Sequence, residues 1–381
     1  MTDRTAELAR HAAERAAAAH AGQPLDEVLA SIAGNDLTTL LLHAHRTRAR
    51  GRTFRDLGAA SERQPMTRAS AADARRLHAF DAALFDAASA HDAVALSPVS
   101  PLGAAACAGI EPNHALATLR LGEVAADPTA GLALEAKHRR RAGTHAPIHL
   151  VASQRVLRMQ PLDVPGFTPH FQLAALGSYQ RSSRAADDDA LDRALLAAHV
   201  GTWADLFAAL PARGLRVAPG SFRVVFADTR LTRIAITARG GDPDALSRHA
   251  VAHKPSSTAD ALAAAGLDLP RAVPAADLVA TVAALALPRS AHTLAAALVD
   301  ELARPLAASH PHVPVAVDLA RIQGLGYYAG PCLQLHVRHA DGRDFALGDG
   351  GALTWLGALL SDRRERMVTT GVGAELLAKL F

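Results

Sequence analysis

Apolar residues recur at helical spacing through Leu77, Phe80, Ala83, Leu84 and Ala87, which predicts a helix over residues 70–89. Ser70 is the expected N-cap, with Asp73 three positions on as a capping-box acid. A short apolar run over 93–96, stopped by Pro98, reads as a strand. Alternating apolar segments fill 118–149, and Glu135 is read as the end of a strand. Residues 148–159 and 171–177 predict two antiparallel strands joined by a loop with Pro161, Pro165, Gly166 and Pro169. The spacing over 191–210 predicts an amphipathic helix, and 222–237 two strands. Residues 259–307 predict Ala/Leu-rich helix broken at Pro270, Pro274 and Pro288. Further on come a strand at Tyr327-Tyr328, a turn at Gly348-Asp349-Gly350-Gly351, and a glycine-rich strand running into a helix with Glu375. The expected organisation is a helical extension over 1–68, core segments over 69–215 and 316–381, and a mostly helical insertion over 216–315.

Composition sharpens this in three ways. Alanine dominates a half-hydrophobic chain with only 4% aromatics, so much of it should be helical. A net charge of +3 is close to balance and is a weak argument for nucleic acid. Cys107 and Cys332 form no CxxC pair, which fits a reducing compartment and argues against a structural zinc. No 18-residue apolar run occurs and Met1-Thr2-Asp3-Arg4 opens no signal-peptide core, so a cytoplasmic protein without a membrane segment is expected.

The run Gln323-Gly324-Leu325-Gly326-Tyr327-Tyr328-Ala329-Gly330, then Gly348 to Gly351, then Gly371-Val372-Gly373-Ala374-Glu375, resembles the C-terminal half of a histidyl-tRNA synthetase catalytic domain. That family reads Arg-Gly-Leu-Asp-Tyr-Tyr-Thr-Gly, Gly-Gly-Arg-Tyr and Gly-x-Gly-x-Glu-Arg. The helix, strand and proline over 70–98 and the hairpin over 148–177 resemble the first two class II signatures. The resemblance implies an α+β fold, an antiparallel sheet flanked by helices, and a homodimer built on the first signature. It covers about residues 70–381, and the family's anticodon-binding domain has no counterpart among these residues, so tRNA is not an expected partner.

The resemblance implies site residues one by one. Arg158, on the hairpin, would hold phosphate, because a guanidinium binds oxyanions bidentately. Arg155, an odd number of residues away, should face the other side of the sheet. Gln160 replaces a family glutamate, and Phe171 stands where the adenine platform belongs. Gly371, Gly373 and Glu375 complete the nucleotide half; Glu135, Gln323, Tyr327, Tyr328 and Tyr179 form the amino-acid half. If the phosphate half works, ATP and magnesium are its cofactors. The pattern departs from the family at Gln323, Ala352 and Leu376, each in place of an arginine, and at Gly326 in place of an aspartate.

Two readings follow. One is a paralogue that binds an amino acid or related metabolite, acting through its dimer or a protein partner, with a degenerate adenylation site. The other is an ATP-dependent ligase that activates a carboxylate. A nucleic-acid accessory role rests only on the arginines of 46–55 and 139–141, which lack interleaved aromatic platforms. His114, His138, His145, His149 and His170 have no metal-ligand spacing, so no metal site is expected.

Overall fold

The computed structural model describes residues 4–159, 168–252 and 261–381, and the chain divides into two compact units. The first comprises residues 1–71, 97–126 and 156–170. It holds helices α1 (Arg4–Ala19), α2 (Leu25–Ser31), α3 (Gly34–Arg50), α4 (Phe54–Arg63) and α6 (Ala104–Cys107). Thr53 caps α4 in a reciprocal box with Asp56. In the same unit a small antiparallel pair, strands of residues Val99–Pro101 and Gly122–Val124, turns the Glu123 carboxylate onto the amides of Gly103 and Ala105.

The second unit, residues 72–96, 127–155 and 171–381, is built on one large sheet. In chain order the strands of the whole chain are β1 (Asp92–Ala93), β2 and β3 (the small pair of the first unit), β4 (Ile148–Leu157), β5 (His170–Arg181) and β6 (Arg223–Asp228). They continue with β7 (Val273–Pro274), β8 (Val315–Val317), β9 (Pro331–Arg338), β10 (Asp344–Leu353) and β11 (Glu365–Val372). Nine described strands form the sheet in the order β1-β4-β5-β11-β10-β9-β6-β8-β7. Its centre, from β5 to β6, is antiparallel; β1 joins β4 and β8 joins β6 in parallel. This is the α+β class expected from the sequence.

Alternation along the strands separates the two faces. Leu333, Leu335 and Val337 of β9, Val224 and Phe226 of β6 and Val368 and Val372 of β11 enter the larger core. That core also takes Phe80 and Leu84 of α5 (Ala74–Ala87) and Leu196, Val200 and Trp203 of α8 (Asp188–Ala209). The helical stretch 185–213 that contains α8 is long and apolar enough to cross a bilayer, as the core helix of a soluble protein also can be. Here Leu196, Val200 and Trp203 bury its apolar side in protein. The opposite face carries a smaller core, where Leu132, Ala133 and Ala136 of α7 (Pro128–Arg141) and Leu356 of the helix Trp355–Leu360 cover Tyr179, Leu353 and Met367. Toward β10, β9 and β6 this second face is open: Gln334 and His336 are only half-buried there. A bulge between Ala346 and Gly348 resets the alternation of β10 so that Asp349 lies opposite Gln334.

Several elements differ from the sequence-based expectation. The helix of 70–89 starts at Ala74, because Asp73 rather than Ser70 accepts the capping N–H, from Arg75. Residues 128–141 form α7 instead of a strand: Asp127 caps it and Pro128 occupies the first turn, a stronger start signal than the alternation. The second strand expected in 222–237 is helix α9 (Thr229–Ala238), capped by the fully buried Asp228; Leu231, Thr232, Ala235 and Ile236 form its buried stripe. Gly348 to Gly351 lie inside β10, not in a turn, and Tyr327-Tyr328 lie in a series of turns before β9.

A polar seam crosses the larger core. His149 of β4 meets the Ser178 hydroxyl at 2.7 Å, which meets His199 of α8 at 2.8 Å; His199 reaches the Thr370 hydroxyl at 3.0 Å. Trp203 donates its indole N–H to the same hydroxyl at 2.7 Å. His91, after α5, brings a third imidazole within 5.6 Å of His149 and 5.9 Å of His199 between ring centres. Both His91 ring nitrogens are buried without a hydrogen-bond partner. Burial, reinforced by His149, pushes the His91 pKa down to about 4 despite Asp92. Burial also lowers His149, and lowers His199 further with its two neighbours. Among the described residues no group of three His, Cys, Asp or Glu side chains could hold a metal ion.

Candidate functional site

The residues from Asp318 to Gly330 leave β8, make consecutive tight turns and enter β9 on the open face of the sheet. Asp318 Oδ1 accepts the Ala320 N–H at 2.8 Å, and Tyr327 and Tyr328 both donate backbone N–H groups to the Gly324 carbonyl. The Tyr328 ring needs two glycines. A Cβ on Gly324, whose φ is +86°, would stand 2.5 Å from the ring, and one on Gly351 would stand 2.8 Å from it. Tyr327 packs edge-on against Tyr328 at 4.9 Å and Trp355 at 5.5 Å, and remains half-buried.

Under this turn lies Arg321, only 4% exposed. Its Nε donates to the Gln323 carbonyl at 3.2 Å, its Nη2 stands 3.7 Å from Asp349 Oδ2, and its guanidinium lies 5.8 Å from the Tyr328 ring centre. Its Nη1 is buried with no hydrogen-bond partner. Burial alone would lower the Arg321 pKa. Cys332, Tyr328, Asp349 and Asp318 outweigh it and hold the group above its ordinary range. Burial lifts the Cys332 thiol to about 11. A buried cation with an unused donor is costly unless something completes it. The sequence reading missed Arg321. Its one signal was its being the sole Lys or Arg between Val313 and Leu335, in a mostly apolar stretch that also holds Asp318.

The expected site residues separate into groups. Tyr328 and the Gln323 carbonyl flank Arg321, Tyr327 packs on Tyr328, and Gly371 pairs with Asp349 across β10 and β11. Tyr179 does not join them. It is fully buried in the smaller core, with its hydroxyl 2.5 Å from the Cβ position of Gly177 and no hydrogen-bond partner. Burial raises its pKa. Glu135 is not at a strand end: it lies on the surface of α7, bonded at 2.8 Å to Arg139, which also binds Asp92. Arg158 follows β4 and spends its Nε on the Ala126 carbonyl at 2.8 Å. Phe171 is half-buried at the start of β5, and Gln160 lies outside the described residues.

Glu375 is 2% exposed and is held by Arg155 at 2.9 Å and Lys379 at 2.9 Å. Its helix, Ala374–Leu380, buries Ala374 and Leu377 in the larger core, with Leu376 against the same core. Gly373 donates its N–H to the Leu347 carbonyl at 3.0 Å. The one cation of that helix, Lys379, is thus committed to Glu375. These side chains, paired with one another, do not fit a triphosphate.

No protein-family model matches the chain, and no curated protein matches it. Solved structures do. A Bacillus halodurans protein described as an ATP phosphoribosyltransferase regulatory subunit/histidyl-tRNA synthetase superimposes with a TM-score of 0.59 at 16% identity, over 80% of this chain and 78% of that one. A histidine–tRNA ligase subunit from Alicyclobacillus acidocaldarius gives 0.58 at 18% identity, over 82% and 95%. The histidyl-tRNA synthetase of a Nostoc species gives 0.53 at 15%, over 83% and 74%. Likeness at this identity is likeness of fold: the chain has a class II aminoacyl-tRNA synthetase-like catalytic fold of the histidyl type.

Proposed function

We propose that the chain is a histidyl-tRNA synthetase-like paralogue that binds an amino acid or a related small metabolite, in a regulatory or accessory role. The observation that carries this reading is the buried Arg321, beneath the turn that leads into β9, whose Nη1 lacks a hydrogen-bond partner. A ligand carboxylate would complete that guanidinium. Asp349, more than half exposed beside it, offers an acceptor for an ammonium, and the half-buried Tyr327 ring offers a wall. Amino-acid recognition therefore has its opposite charges a few ångströms apart. Activation with ATP would need further cations, and Leu376 and Gln323 stand where the related pattern has arginines. One neighbour's name joins a regulatory subunit to this fold, which gives the role a precedent, although fold by itself does not decide function.

The test is a thermal-shift screen of the twenty amino acids, each with and without ATP and magnesium, followed by calorimetry on Arg321→Ala. The expected result is a shift that needs an amino acid alone and an affinity loss of about 10- to 100-fold in the variant, as for one charge-assisted contact. A shift that needs both ligands, with pyrophosphate release, would instead make the chain a ligase. No shift with any amino acid would overturn the reading.

A further inference from the structure

Beside Asp318, three residues before Arg321, the open face sinks into a cavity of about 370 Å³, walled by β6, β8, β9 and the chain around Pro274. That is a small-ligand size. Val225, Pro314 and Val315 give it apolar sides, and Arg223, Arg271, Asp318, Gln334 and His336 its polar ones.

These polar groups are not equally available. Arg223 forks both Nη atoms onto Asp344, with His336 alongside, so its charge is already matched. Arg271 is exposed. Asp318 is different: one oxygen accepts the Ala320 N–H, and the other carries no hydrogen bond among the described residues. Burial holds its carboxyl above the ordinary range even though Ala320, Arg271 and Arg321 all act to lower it. The Gln334 side chain, opposite Asp349, likewise makes no hydrogen bond among the described residues.

We propose that this cavity is a second subsite, which takes a cationic, N–H-rich group of the ligand, with the free oxygens of Asp318 and Gln334 as acceptors. Deepening the reading in which Arg321 holds a carboxylate, the ligand is an amino acid with a basic side chain: the carboxylate lies at Arg321 and the methylene stem along Val225 and Val315. The charged end sits at Asp318.

Calorimetry on the full chain separates the two subsites with three probes: arginine, its decarboxylated analogue agmatine, and norvaline, which lacks the charged end. Arginine should bind at least about tenfold tighter than either of the others, the margin of one charge-assisted contact. Asp318→Asn should weaken arginine and agmatine alike by about tenfold or more. Arg321→Ala should lower arginine to the level of agmatine and leave agmatine unchanged. Because Asp318 also caps Ala320, Gln334→Leu on the open face serves as the second variant, with a smaller loss in the same direction. Norvaline binding as tightly as arginine, or agmatine binding that is absent or ignores both substitutions, overturns the subsite. If arginine and agmatine bind equally and only the Asp318 and Gln334 variants weaken them, the subsite stands and the carboxylate reading of Arg321 falls.

Discussion

Acid should loosen the join between α8 and the sheet through its three imidazoles. His91 is the clearest member, since burial brings its pKa from 6.5 down to about 4. A histidine that binds protons less well folded than unfolded contributes fully above pH ~6.5 and loses that contribution as the pH falls toward ~4. At about 1.4 kcal/mol for each tenfold change in proton affinity, the ceiling is roughly 3.5 kcal/mol. His91 is half-buried as a residue, and solvent screening reduces this to about 2 kcal/mol. The assay is urea unfolding of the wild type and His91→Leu at about pH 7.5 and about pH 4.5. At the higher pH the variant should be at least as stable, because leucine removes two buried nitrogens that have no partner. At the lower pH its advantage should grow by about 2 kcal/mol. Asp81, Asp192 and Asp318, whose carboxyls burial raises, push the overall profile the other way. They are common to both proteins and cancel in the difference. A gap that stays constant between the two pH values would refute the reasoning.

Two further substitutions test the placement of Glu375 and Glu135. Glu375→Gln breaks a buried carboxylate away from Arg155 and Lys379 and should cost about 2–4 kcal/mol in urea unfolding; a loss below about 1 kcal/mol would mean that the pair is solvated. Glu135→Gln removes only a surface contact to Arg139, so it should cost less than about 1 kcal/mol and leave amino-acid affinity within about twofold. A tenfold affinity loss there would restore Glu135 to the binding site.

Legibility varied with the kind of signal. The helix around Phe80 and Leu84, the hairpin of β4 and β5 and the final strand-to-helix passage could be read because period and punctuation agreed. Residues 128–141 and 229–238 misled because short Ala, Leu, Ile and Thr runs suit either period, and what decided them was a single aspartate cap at each start. Tyr179 was misplaced because no spacing rule says which face of an antiparallel sheet stays open. That depends on α7 folding over one end of it. Arg321 escaped because the related pattern drew attention to position 323, whereas burial and the missing partner of its Nη1 exist only in three dimensions.

The positions of the two tryptophans give the molecule separate optical reporters. Trp203 is sealed in the larger core with its indole N–H bound to Thr370, one hydroxyl away from His199. Trp355 is half-buried with Tyr327 across its edge. Emission from the first should be blue-shifted, insensitive to small molecules, and quenched when the imidazoles beside it take up protons. Emission from the second should be redder and should respond when a ligand settles against Tyr327. Replacing either tryptophan by phenylalanine leaves a protein whose remaining light follows a single event, folding in one case and ligand capture in the other.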